Sequence, residues 1–250
     1  MSVIQDRTAA APASADELRA YFIINCGILL DYKGHQILVD GLFCRPAEAG
    51  INKLGLATPS DETVHQIMNR EGIYSNIEYI LCTHEHWDHG NRAMTDEYVS
   101  RYGATAFYPT EDETDYTYEN DWLKLEALSC IHDLPSNPDG DKHCCYRLTI
   151  DGRVCLFTGD VDVLHEIPEK LYDTPVDIMF YNIHHILVPQ GRAALIERFR
   201  PGHTFIQHLP DPEDDPFGVN KRAVNKLQVY GKDLPPYTLL DETKALTRIL

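Results

Sequence analysis

The chain has 250 residues, 43% of them hydrophobic, and its 22 basic and 39 acidic residues give a formal net charge of −17. This length and apolar content are sufficient for one continuous buried core. The negative charge repels phosphate backbones, so it disfavours a nucleic-acid substrate and leaves a small molecule as the expected one.

Residues 1–16 are small, polar and without periodicity, and they predict a flexible arm ahead of a single domain over residues 17–250. The arm lacks the basic and apolar regions of a secretory signal, and no later run is long enough to span a bilayer. We therefore expect a cytoplasmic protein without membrane contact. The seven cysteines are odd in number and mostly lie in apolar runs, which favours free buried thiols. Homo-oligomerisation stays open.

The first part of the chain predicts a hairpin and then a helix, a strand and a second helix. Lys33-Gly34 supplies the glycine that a hairpin turn favours, and Asp61 is a capping residue ahead of apolar positions at helical spacing. The predicted elements are strands at 20–32 and 35–43, a helix at 61–72, a strand at 76–84 and a helix at 89–103.

The remainder predicts further short strands between helical patterns, and hence an α/β or α+β fold. Strands are predicted at 104–109, 125–132, 144–151, 153–160, 177–184 and 203–208, and helices at 193–200 and 220–231. Asp151-Gly152 predicts a second hairpin. Both hairpins run into an aspartate, Asp40 and Asp160, which hints at a duplicated half, with coincidence as the alternative.

Residues 80–90 read ILCTHEHWDHG, with three histidines and an aspartate within six residues. The helical zinc motif H-E-x-x-H does not fit, because the fourth residue after His84 is Asp88. In an extended chain His84 and His86 point to one side and can reach one metal, while the turn into the helix lets Asp88 and His89 face a second point nearby. The cluster therefore predicts two adjacent metals. Its ordinary alternative is a set of surface or hydrogen-bonded core histidines.

The segment THEHWDHG resembles the T-H-x-H-x-D-H-G signature of the metallo-β-lactamase fold superfamily. The resemblance implies a four-layer αββα sandwich, from about Tyr21 to about Leu240, with a metal site at one edge of its two sheets. It also implies a supporting aspartate, Asp40. The implied ligands are His84, His86 and His132 for the first metal, Asp88, His89 and His208 for the second, and Asp160 as a bridge.

The third ligand of the first metal has two candidates. His132 is favoured because it ends an apolar run that aims it at the strand edge. His143 resembles a second, non-ligand histidine of some family loops. The alternative interpretation is that His143 is a solvated loop residue. The separation along the sequence between His132 and Tyr146 is longer than is usual in the family, and an inserted loop at 133–141 would account for it.

Nitrogen and oxygen ligands favour two zinc ions, with manganese or iron as alternatives. A hydroxide between two cations is available near neutral pH, so the site predicts hydrolysis of a small-molecule ester, lactone, thioester or phosphoester. Asp88 or Asp160 would accept the proton of the attacking water.

Tyr181, His184 and His185 lie at or just after the end of the strand predicted at 177–184, and they are candidates for substrate binding, as is His143. One of the paired histidines would donate a hydrogen bond to a developing oxyanion, and we assign this catalytic role to His185. Loop histidines that stabilise a turn are an equal alternative.

Two other function classes remain open. An iron-dependent, dioxygenase-like oxidoreductase can use the same fold, although His86 stands where diiron flavoprotein relatives tend to carry a glutamate. A non-catalytic binding module is less favoured, because every expected ligand position is filled.

Overall fold

A computed structural model describes residues 18–44, 55–133, 142–165 and 167–250. The predicted arm at 1–16 and nearly all of the predicted inserted loop at 133–141 lie outside the described residues. Within the described part of the chain, no helix has the length and apolarity needed to cross a membrane. All seven cysteines are free thiols, five of them buried, as the sequence predicts.

The first sheet has six strands among the described residues. They are β1 (Arg19–Phe22), β2 (Ile28–Tyr32), β3 (His35–Val39), β4 (Ile77–Leu81), β5 (Thr105–Phe107) and β13 (Thr247–Arg248), in the spatial order β13-β1-β2-β3-β4-β5. Helices α1 (Asp61–Asn69) and α2 (Arg92–Tyr102) pack on its outer face, where Ile67 and Tyr98 join a buried cluster with Leu38 and Ile80.

The second sheet has seven strands in the described part. They are β6 (Tyr116–Glu119), β7 (Leu123–Cys130), β8 (His143–Ile150), β9 (Arg153–Phe157), β10 (Ile178–Asn182), β11 (His203–Gln207) and β12 (Tyr237–Leu239), in the spatial order β12-β11-β10-β9-β8-β7-β6. Its outer face is covered by α3 (Ile183–Leu187), α4 (Pro189–Ala193), a π-helical turn (Ala194–Phe199) and α5 (Val219–Tyr230).

A buried apolar cluster joins the inner faces of the two sheets. Leu30 and Ile37 of the first sheet share it with Tyr146, Phe157 and Phe180 of the second. With helices on both outer faces, the layers follow the order helix, sheet, sheet, helix. The predicted four-layer αββα sandwich is confirmed.

Both predicted hairpins are confirmed, and their turns have the expected backbone. Lys33 and Gly34 have φ of 54° and 88°, and Asp151 and Gly152 have φ of 52° and 75°. Two consecutive residues with positive φ match the twist of the flanking strands.

The two sheets also repeat one order of pairing. From β1 to β5, successive neighbours pair antiparallel, antiparallel, parallel and parallel, and the strands from β7 to β11 do the same. This repetition agrees with the duplication that the hairpins suggested.

Some predicted boundaries are wrong. The strand predicted at 20–32 is divided into β1 and β2 by a turn in which Ile23 N–H donates to Gly27 O at 2.8 Å. The strand predicted at 177–184 ends at Asn182, whose side chain caps α3. The strand predicted at 76–84 ends at Leu81, and Thr83 N–H donates to the side chain of Asp40 instead of to a neighbouring strand.

Candidate metal centre

The candidate site lies where strands of both sheets end. β3 and β4 are parallel, as are β9, β10 and β11, so the carboxyl ends within each set meet at one edge of their sheet. The residues that end or follow these strands and β7 are Asp40, the segment 83–89, His132, Asp160, Asn182 and His208.

Three histidines form the first donor group. His84, His86 and His132 each offer a ligand atom, and these atoms lie within 4.8 Å of one another. His84 Nε2 is 3.1 Å from His86 Nδ1, and the His132 ring centroid is 4.6 and 4.7 Å from the other two. Burial, and then His89, keep the pKa of His84 well below its usual value, so this imidazole is neutral.

The second donor group contains Asp88, His89 and His208, again within 4.8 Å of one another. His208 Nε2 lies 3.1 Å from both Asp88 Oδ2 and His89 Nε2. Burial raises the pKa of Asp88, but His89 and the hydrogen bond with His208 outweigh burial and hold it below the usual value. Asp88 is therefore an ionised carboxylate.

Asp160 lies between the two groups. Its Oδ2 is 3.9 Å from the Nε2 atoms of His84, His132 and His208, and its Oδ1 is 3.4 Å from His89 Nε2. Burial raises the pKa of this carboxyl, but His89 and then His208 hold it well below its usual value. One carboxylate thus faces imidazoles of both groups.

Asp40 and Thr83 orient the imidazoles from behind. Asp40 Oδ1 accepts from Thr83 N–H at 2.8 Å, and Oδ2 accepts from Thr83 Oγ1 at 2.7 Å and His89 Nδ1 at 2.9 Å. Because the Thr83 hydroxyl proton points at Asp40, its oxygen accepts from His84 Nδ1 at 3.1 Å. Both histidines therefore turn Nε2 toward the donor groups, which is the nitrogen that a bound metal would need.

The geometry favours His132 over His143 as the third member of the first group. His143 Nε2 accepts from the Asp160 backbone N–H at 3.1 Å, so this lone pair is already used. The residue is 1% exposed, and its alternative as a solvated loop residue is wrong. Burial, and then His132, lower the pKa of His143 to about 3.

The candidates for substrate binding near β10 differ in placement. Tyr181 is fully buried and donates to Gly191 O at 2.9 Å, and the buried His185 packs on it at 4.6 Å between ring centroids. His184 is half-buried, with its ring 5.6 Å from that of His208. His184, rather than His185, therefore has the partly exposed position beside the cluster.

Besides Thr83, two residues of the site were missed from the sequence. Asn182 Nδ2 donates to Asp160 Oδ1 at 2.6 Å, and Asp133 Oδ1 lies 3.4 Å from His132 Nδ1. Burial, and then Asp160, raise the pKa of Asp133 to about 7. The available signals were a polar residue at the end of an apolar strand for Asn182, and the position next to a predicted ligand for Asp133.

The described residues fit divalent metal ions. Imidazole nitrogens of different residues approach to 3.1 Å beside buried carboxylates, and one cation can be bound by the donor atoms of each group. The donors are all nitrogen and oxygen, which suits zinc, manganese and iron.

Solved structures share this architecture. A possible metal-dependent hydrolase from Veillonella parvula is 15% identical with a TM-score of 0.63, over 94% of this chain and 99% of that one. The metallo-β-lactamase fold protein YhfI from Bacillus subtilis is 11% identical with a TM-score of 0.54, over 90% and 97%. The chain has the metallo-β-lactamase fold.

The metallo-β-lactamase fold is shared with an enzyme of another kind. CmlA, a diiron β-hydroxylase from Streptomyces venezuelae, is 12% identical with a TM-score of 0.63 over 92% of this chain. This chain spans about half of that one, since the match covers 54% of it. By sequence, no protein-family model and no curated protein matches the chain.

Proposed function

We propose that the protein is a metal-dependent hydrolase that cleaves an ester, lactone, thioester or phosphoester bond in a small molecule. The observation that carries the proposal is the position of Asp160, whose Oδ2 is equally far from histidines of two donor groups. A carboxylate shared in this way could bridge two metal ions, and a pair of metal ions can stabilise the attacking and leaving oxygens of a hydrolysis.

Each donor group would hold one metal ion. His84, His86 and His132 would hold the first, Asp88, His89 and His208 the second, and Asp160 would bridge them. Metal ions bound there would supply Lewis acidity, which lowers the pKa of water and polarises the bond under attack. Zinc suits this chemistry best.

The chain's own residues would orient the site and move protons. Asp40 and Thr83 hold the imidazoles in one tautomer. Asp88, an ionised carboxylate at the edge of the second group, would take the proton of the attacking water. His184 is neutral, because burial and then His208 lower its pKa to about 4, and its ring N–H would donate to a developing oxyanion.

Among these substrates, neutral esters, lactones and thioesters are favoured over anionic phosphoesters. The segment that follows His208 is acidic, with Asp211, Glu213, Asp214 and Asp215 in five residues. Carboxylates at the approach to a site repel anions and have little effect on neutral molecules.

An iron-dependent oxidoreductase is the second candidate. Asp133 offers a ligand atom within 4.8 Å of those of His132 and Asp160. It would add an oxygen donor to those of Asp88 and Asp160. Oxygen-rich donor sets accept iron and manganese as well as zinc.

Metal analysis combined with a substrate panel tests the proposal. Protein purified without added metal is analysed for bound metals, and lactones, thioesters and phosphodiesters are then assayed with zinc, manganese and iron. We expect hydrolysis that is abolished in the double variant His84→Ala, Asp160→Ala and kept in His65→Ala, which removes an exposed histidine of α1. Stoichiometric iron with oxygen consumption and no hydrolysis would contradict the hydrolase proposal and favour the oxidoreductase.

A further inference from the structure

Asn182 links the candidate metal centre to helix α3. It is the last residue of β10, is 1% exposed and has the extended backbone of a helix cap, with φ of −68° and ψ of 138°. Its side-chain Oδ1 accepts from the His184 backbone N–H at 2.8 Å, and its Nδ2 donates to Asp160 Oδ1 at 2.6 Å.

The orientation of this amide follows from its two partners. A backbone N–H needs an acceptor and an ionised carboxylate needs a donor, so a flipped amide would lose both hydrogen bonds. Asn182 therefore cannot face Asp160 with its oxygen while it caps α3. The helix cap fixes which atom the carboxylate meets.

The hydrogen bond makes the two oxygens of Asp160 different. Oδ1 receives Asn182 Nδ2 and lies 3.4 Å from His89 Nε2. Oδ2 lies 3.9 Å from Nε2 of His84, His132 and His208, which belong to both donor groups.

The side-chain amide is well placed to select this orientation. The terminal torsion of an aspartate is broad and only weakly two-fold, so the side chain alone does not fix the plane of its carboxylate. His143 accepts from the Asp160 backbone N–H, which anchors the main chain and leaves that torsion free.

We propose that Asn182 is a positioning residue for the bridging carboxylate, holding Asp160 so that Oδ2 is the oxygen shared by the two metal ions. The inference rests on the proposed dinuclear site. Loss of the amide would let the carboxylate rotate, and the second metal ion would then lose a ligand held at a fixed position.

Manganese binding to Asn182 variants tests the inference. Asn182→Ser keeps a capping acceptor and replaces the amide donor with a shorter hydroxyl, and Asn182→Ala removes both donor and acceptor. Asn91→Ser is the matched control, because Asn91 caps α2 through Met94 N–H at 3.1 Å and makes no contact with Asp160 among the described hydrogen bonds. Wild type and variants are titrated with Mn²⁺, and electron paramagnetic resonance reports whether two bound ions are exchange-coupled through a shared ligand.

We expect two coupled ions in the wild type and in Asn91→Ser. In both Asn182 variants the second ion should bind about 10- to 100-fold more weakly, and the coupled spectrum should give way to that of separate ions. Unchanged affinity and coupling in Asn182→Ser and Asn182→Ala would overturn the inference and leave the proposed function intact. A wild type that binds no Mn²⁺, Zn²⁺ or Fe²⁺ would instead overturn the proposed function.

A metal-loaded structure of the wild type gives a test that does not depend on how the variants fold. We expect Oδ2 of Asp160 to contact both ions while Oδ1 keeps its hydrogen bond to Asn182. Coordination of both ions through Oδ1, or a broken hydrogen bond to Asn182, would contradict the inference.

Discussion

At the scale of single residues, the site depends on buried polar groups whose hydrogen bonds are mutually consistent. Asp40 is an example, since it accepts three hydrogen bonds and through them sets the tautomers of His84 and His89. When one partner of such a hydrogen bond is removed, the buried group that remains is unsatisfied, at a cost of about 1–3 kcal/mol.

Replacing Asp40 by asparagine should weaken metal binding. One carboxylate oxygen becomes an NH2 group that faces donors, so either the Thr83 or the His89 contact is lost, and metal affinity should fall about 10- to 100-fold. Isothermal titration with Zn²⁺ measures the change. Asp31→Asn is the control, because Asp31 is a buried, hydrogen-bonded carboxylate in β2 and should affect stability without affecting metal affinity. Equal losses of affinity in both variants would contradict the assigned role of Asp40.

Gly159 is a second residue whose identity the site requires. It has φ of 49°, and a Cβ there would lie 2.7 Å from both His143 Nε2 and Thr83 Oγ1. Gly159→Ala should therefore lower the free energy of unfolding by about 1–3 kcal/mol and also reduce metal binding.

Gly152→Ala separates backbone strain from this crowding. Gly152 has φ of 75°, but an added Cβ would meet nothing within 4 Å, so only the cost of the backbone conformation, about 1 kcal/mol, is expected. Urea unfolding and metal titration of both variants measure the difference. A Gly159→Ala protein that matches Gly152→Ala in stability and metal affinity would show that the close approach at Gly159 has no role.

The residues of the site differ in how far the sequence predicts them. Residues 83–89 lie in one short segment, so spacing alone brings their chemistry together. Asn182 acts on Asp160 from 22 positions away along the chain, and only the pairing of β9 with β10 brings the two together. An asparagine at a strand end gives no local sign of that partner.

At the scale of elements, strand pairing positions the site. β10 lies between β9 and β11, and Phe180 in its centre stacks on Phe157 at 4.4 Å and on Phe205 at 5.3 Å between ring centroids. Asn182 follows two residues later and Asp160 follows β9, so this packing sets the distance between them.

Phe180→Ala should destabilise the protein by about 3–5 kcal/mol, because it leaves a cavity between three strands. Phe217→Ala, at a position that is 57% exposed, should stay within about 0.5 kcal/mol of the wild type. Thermal and urea unfolding measure both effects. A small loss of stability in Phe180→Ala would mean that the stack contributes little to the core.

Most longer elements were predictable, and three of the short strands were not. The hairpin turns and α5 have strong local patterns, whereas β6, β12 and β13 have two to four residues and form only because a neighbouring strand pairs with them. The end of β10 was placed too late because Asn182 caps α3, and that role depends on the backbone that follows.

At the scale of the whole molecule, two similar halves of the fold contribute residues to the candidate metal centre at one edge of the sheets. Each sheet repeats the same order of antiparallel and parallel pairings, and the donor groups take residues from loops of both. Imidazoles and carboxylates crowded in the interior cost free energy until a cation joins them, so metal binding should stabilise the folded state.

Removal of metal should therefore lower the melting temperature. At a metal concentration of about 100 times Kd, binding adds about 2.7 kcal/mol to the stability of the folded state. Differential scanning calorimetry with and without a chelator measures the shift, and re-addition of Zn²⁺ should restore it. A chelator-treated protein with the same melting temperature as the Zn²⁺-loaded one would argue against a structural contribution of the metal.

The number of metal ions bound per chain tests the central claim most directly. Inductively coupled plasma mass spectrometry of protein equilibrated with Zn²⁺ and then freed of excess metal should find two ions per chain. Asp160→Ala, which removes the shared carboxylate, should bind fewer. One ion or none in the wild type, or two ions in Asp160→Ala with unchanged affinity, would contradict a dinuclear centre bridged by Asp160.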